Sequence, residues 1–136
     1  MINNLIELLS KEEIALKELL EVLDEQHKKI VAKDVFALEE IVDKIKDTNI
    51  EVAKIEVERR RVIGNTSMKE FVANSNSEEL DAVYRRIKKI LSEITLQKDT
   101  NEMLIKQGLG YTNKILNLIN PKRSTVTYSS YGTIKR

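Results

Sequence analysis

Three long stretches of this chain carry an apolar residue every three or four positions, and that spacing limits the fold more than any other feature. The first keeps one seam through Ile2, Leu5, Leu9, Leu16, Leu19, Leu23 and Ile30. On a helix these side chains fall in a single stripe, whereas on a strand they would scatter over both faces. A second stretch repeats the pattern through Leu38, Ile41, Ile45, Val52, Ile55 and Val62. The third runs through Leu80, Val83, Ile87, Ile90, Ile94, Leu104, Tyr111, Ile115 and Leu118 to Pro121, which biases Asn120 away from the helical region. The expected fold is all-α: an elongated antiparallel helical bundle of three long helices plus one short helix, with a flexible C-terminal tail. Residues 1–120 form the bundle and residues 121–136 a disordered basic tail. Helices of about 28 to 42 residues extend roughly 40 to 60 Å, so the body is a rod.

The boundaries carry their own chemistry. Helix one runs from about Ile2 to Val31 and stops at Ala32-Lys33-Asp34, where Asp34 can cap the next helix. A link this short makes the first two helices antiparallel neighbours. Helix two runs to about Ile63 and ends at Gly64, the residue best able to turn the chain after a helix. Ser67-Met68-Lys69-Glu70 then reads as a capping box opening a short helix with Met68, Phe71 and Val72. The polar run Asn74-Ser75-Asn76-Ser77 breaks it before the long third helix begins.

Charge bears on which partners are open to the chain. The net charge is +1, but residues 121–136 hold Lys122, Arg123, Lys135 and Arg136 and no acid, leaving 19 basic against 22 acidic residues elsewhere. A protein gripping phosphates along its length needs a sustained basic face. Here Arg59, Arg60 and Arg61 follow Glu56 and Glu58, and Arg85, Arg86, Lys88 and Lys89 follow Glu78, Glu79 and Asp81. These clusters read as solvated helix faces with local ion pairing, and nucleic acid is not an expected partner. Cysteine is absent, which leaves no disulfide framework and no thiolate site. The start, Met1-Ile2-Asn3-Asn4, lacks the basic region of a signal peptide, and no uncharged run approaches the roughly 18 to 20 residues that cross a bilayer. A cytoplasmic location without membrane insertion is expected.

One interruption breaks the third stripe. Gln97-Lys98-Asp99-Thr100-Asn101-Glu102 is entirely polar, so Gln97 and Asn101 fall where the seam should run. Either they form a polar layer that fixes register, or the helix leaves the core here and offers its last third to something else. Gly108 and Gly110 favour the second reading, because each costs about 1 kcal/mol relative to alanine inside a helix. Catalysis has no visible apparatus. A di-iron bundle needs two Glu-x-x-His motifs, and this chain has one histidine, His27, with Asp24 at that spacing. No nucleophile elbow appears, and His27 reads as exposed among charged neighbours. Gly108-Leu109-Gly110 lacks the third glycine and the strand of a dinucleotide fingerprint. No enzyme activity, cofactor or metal is expected.

A resemblance becomes specific in the third helix. Asn101-Glu102-Met103-Leu104-Ile105, then Leu109, Tyr111, Ile115 and Leu116, then past the proline Val126, Thr127, Tyr128, Tyr131 and Gly132, resemble the C-terminal signature of the FlgN family of flagellar type III export chaperones. Upstream, the leucine-rich first helix, the second helix opening at an aspartate, and Glu58-Arg59 before Val62-Ile63 are also similar to the family pattern. The resemblance implies a cytosolic protein that binds the C-terminal segments of hook-filament junction proteins, keeps them unpolymerised and delivers them to the export gate. Such segments would expose an apolar stripe before assembly, and a chaperone helix with its own stripe can cover it. The expected cargo contacts are Leu104, Ile105, Tyr111, Ile115, Leu118 and Ile119, each of which could equally complete the chain's own core. Ordering residues 121–136 costs more than burying Val126, Tyr128, Tyr131 and Ile134 returns. Tyrosine suits binding surfaces, so the tail reads as a docking peptide. The resemblance makes the export gate its receptor through Val126 and either Tyr128 or Tyr131. A strand pairing with another chain is the other reading of that end. The competing function is a non-enzymatic coiled-coil adaptor or self-associating structural module, and the chain is expected to be a monomer or homodimer.

Overall fold

The computed structural model describes residues 2–108. They form four helices in the order α1 (Ile2–Ala32), α2 (Val35–Ile63), α3 (Met68–Ser75) and α4 (Glu78–Gly108). No strand occurs among the described residues. The three long helices and the short one match the all-α expectation, while the stretch leading to Pro121 and the tail 121–136 lie outside the described residues. At about 1.5 Å per residue the long helices extend roughly 45 Å.

The ends of these helices are set by a few side chains. After Ala32, Lys33 takes a left-handed conformation with φ 57°. Its amide donates to the Ile30 carbonyl at 3.0 Å, and the Asp34 amide donates to Lys29 at 3.1 Å. That pair of bonds is a Schellman closure, normally built on glycine. The Asp34 carboxylate then accepts from the Ala37 amide at 3.1 Å, capping α2. Gly64 ends α2 at φ 65°, its amide donating to Arg60 at 2.9 Å. Ser67 Oγ accepts from the Glu70 amide at 3.1 Å to open α3, left-handed Asn76 closes it, and Ser77 Oγ accepts from the Leu80 amide at 3.2 Å at the start of α4.

Helix α1 lies against both α2 and α4, whereas among the described residues α2 and α4 make little direct backbone approach to each other. Glu12 pairs with Arg59 and Glu25 with Lys44, so α2 runs antiparallel to α1. Glu13 pairs with Arg86, and Asn101 bonds to Leu23 and Gln26, so α4 runs parallel to α1. Helix α3 makes that return possible, burying Val72 with Met68 and Phe71 packed beside it. The core is the seam read from the sequence: Leu5, Leu9, Leu16, Leu19, Leu23 and Ile30 of α1, Leu38, Ile41 and Val52 of α2, and Leu80, Val83, Ile87, Ile90 and Ile94 of α4 are buried. Ile45, Ile55 and Val62 are half-buried against it.

Candidate partner-binding surface

Between Leu9 and Leu16 the seam of α1 is filled by two acids. Glu12 is 2% exposed, and its carboxylate accepts from Arg59 Nη1 on α2 at 3.1 and 3.4 Å. The adjacent Glu13 accepts from Arg86 on α4, Nε at 2.9 Å and Nη2 at 3.4 Å. Successive helical residues point about 100° apart, so neighbouring carboxylates reach different helices. Arg59 and Arg86 therefore hold α1 across the bundle, contrary to the expectation that their clusters pair only locally on solvated faces. The local pattern does hold for Arg85, which donates to Asp81 one turn away at 2.8 Å. Burial raises the pKa of Glu12 above its ordinary value of 4.5, with Arg59 opposing the shift and Glu56 adding to it.

Toward the other end of α1 lies an uncharged counterpart. Asn101 is 1% exposed. Its Nδ2 donates to the Leu23 carbonyl and to Gln26 Oε1, both at 2.9 Å. Its Oδ1 accepts from Gln97 Nε2 at 2.9 Å and lies 3.2 Å from His27 Nδ1. Because the Leu23 carbonyl can only accept, the amide orientation is fixed, and Nδ1 of His27 must carry the proton it donates. Every donor and acceptor of Asn101 is used. Among the described residues, Gln26 Nε2 is buried without a partner. His27 is thus half-buried rather than exposed among charges: it sits one turn after Leu23, on the edge of the seam facing α4. The interrupted stripe is a polar layer on α1, and α4 stays in the bundle through it.

This layer decides how the next turn is presented. Four residues past Asn101, Ile105 is fully buried. Leu104, read from the sequence as the stripe residue, is half-buried, and Met103 is exposed. The seam passes through 101 and 105 because Asn101 is itself a core residue, which rotates Leu104 to the margin. Of the expected cargo contacts, Leu104 and Ile105 therefore differ in character, and Tyr111, Ile115, Leu118 and Ile119 lie outside the described residues, as do Val126, Tyr128 and Tyr131. The sequence reading missed Glu12 and Glu13, whose signal was a pair of acids in the gap of a leucine seam. It also missed a line of exposed apolar side chains on α2, Phe36, Ile50 and Val57.

The arrangement is that of a helical bundle whose fourth helix is locked onto α1 just before a further apolar stretch of sequence. No helix among the described residues is long and apolar enough to cross a membrane. The model of the FlgN protein family matches residues 1–136, the whole chain. The chain belongs to the FlgN family, a family of flagellar export chaperones. Comparison with curated proteins and with solved structures gives no match.

Proposed function

We propose that this chain is a cytoplasmic chaperone that holds the C-terminal helical segments of hook-filament junction proteins, prevents their early assembly and brings them to the flagellar export gate. The family match over the whole chain carries the reading. The geometry of α4 supports it. Asn101 anchors the helix to α1 and Ile105 is buried one turn on, while Leu104 is half-buried and Met103 exposed. An apolar sequence follows in which Tyr111, Ile115, Leu118 and Ile119 recur at helical spacing. An amphipathic cargo helix would lie along that line, each partner covering the other's apolar stripe. Ile105 serves as the internal anchor, and Leu104 begins the contact. Val126 with Tyr128 or Tyr131 would dock on the gate.

Calorimetric titration with peptides covering the C-terminal helices of junction proteins tests this, with the filament protein's C-terminal peptide as control. Saturable one-to-one binding to a junction peptide alone is the expected result, and no binding to any of them would reject the cargo. Leu104→Asp combined with Ile115→Asp should weaken that binding while leaving the circular dichroism of the bundle in place. Truncation after Asn120 should keep cargo binding and abolish association with the gate.

A further inference from the structure

Helix α2 presents a second pattern, on the side turned away from α1. Phe36, Ile50 and Val57 are 80%, 54% and 48% exposed. They stand at multiples of seven residues, so they share one line on the helix, with Asp43 completing the repeat. The line covers about 32 Å. Four residues after each of these come Glu40, Asp47, Lys54 and Arg61, a flanking line that reads acid, acid, base, base. All four are exposed, and none forms an ion pair among the described residues.

That order is self-complementary in one orientation only. Two parallel copies of α2 would carry this line on opposite sides of the contact, so its charges would not meet. Two antiparallel copies related by a twofold axis near Ile50 set Glu40 against the other copy's Arg61, and Asp47 against its Lys54. Such isologous pairing is what a two-chain symmetric contact requires. We propose that the outward face of α2 is the docking surface for a second copy of this chain, antiparallel, with Ile50 packing at the axis and Val57 beside it. Phe36 of each copy then reaches the other's α2 end at Gly64, where the missing side chain leaves open space. In this register each Asp43 falls opposite the other copy's Val57, which limits the apolar contact on either side of Ile50 and keeps the association weak. The surface is short and rimmed by exposed charges, so association is reversible and weakens with salt. It uses none of the residues proposed to hold cargo.

Sedimentation equilibrium of the full chain over a range of concentrations tests the proposal. The expected result is a monomer–dimer equilibrium that Ile50→Asp abolishes without loss of helicity. Asp47→Lys and Lys54→Glu should each weaken self-association by about tenfold or more, because each sets like charges across the axis. An equimolar mixture of the two should regain it as a heterodimer, in which every pair is again opposite. A wild-type chain that stays monomeric at all concentrations would overturn the proposal. So would a dimer indifferent to Ile50→Asp, or single charge reversals that the mixture fails to rescue.

Discussion

The two ends of α1 are fastened by different chemistry. Near its start, Glu12 and Glu13 hold α2 and α4 with charged pairs. Near its end, Asn101 holds α4 with hydrogen bonds to Leu23, Gln26 and His27 of α1 and to Gln97 of its own helix. A buried carboxylate must be stripped of water before it repays that cost through its partner, whereas an amide with all its donors and acceptors matched loses little on burial. The charged end therefore depends on both members being present. The amide end depends on geometry, which is what a helix needs if the residues following it are to face a fixed direction.

Breaking the comparison at its charged end should produce the largest effect. Glu12→Ala leaves the Arg59 guanidinium enclosed without its carboxylate and should cost about 3 to 5 kcal/mol in urea denaturation. Replacing both Glu12 and Arg59 by leucine should recover most of that loss. Glu13→Ala should cost under about 1 kcal/mol, because its partner Arg86 is half in solvent. At the amide end, Asn101→Ala should cost about 2 to 3 kcal/mol by leaving Gln26 and the Leu23 carbonyl unmatched. Its loss should also release Leu104 and Met103 from their fixed direction, so junction-peptide binding should weaken together with stability.

Two smaller measurements sharpen the contrast. Lys33→Gly relieves a left-handed lysine in the closure between α1 and α2 and should raise stability by about 0.5 to 1 kcal/mol, read from the same denaturation curves. The smallest effect concerns pH. Since Glu12 has a folded pKa raised above 4.5, the folded state binds its proton more tightly than the unfolded chain. Its contribution is then most favourable below 4.5 and declines as pH rises toward the folded value. Between pH 4 and 7 the stability of the wild type should fall relative to that of Glu12→Gln as pH rises.

The periodicity of the leucines and isoleucines made the helices and most of the core legible before any coordinates, and Asp34, Gly64 and Ser67 marked their ends. Other features escaped because they depend on which helix lies opposite. Glu12 and Glu13 look like solvent residues until Arg59 and Arg86 are brought to them from 47 and 73 positions away. His27 reads as exposed because its sequence neighbours are charged, although its place one turn beyond Leu23 turns it toward α4. The seam position fell on Ile105 rather than on Leu104 for the same kind of reason. Spacing alone could not tell that Asn101, a polar residue, occupies the seam and so advances it to 105. Lys33 gave no hint of its conformation, since lysine rarely adopts it.

Among the described residues, α1 lies against both long neighbours while these approach each other little, which gives the bundle the wiring of a hub with two spokes. Besides the chain connection through α3, a disturbance at α4 reaches α2 by way of α1, and the adjacent carboxylates of residues 12 and 13 are where these ion-paired routes come within a single peptide bond of each other. The partner proposed for α4 and the one proposed for α2 would therefore be coupled through the same narrow junction, and the stiffness of α1 would set how strongly.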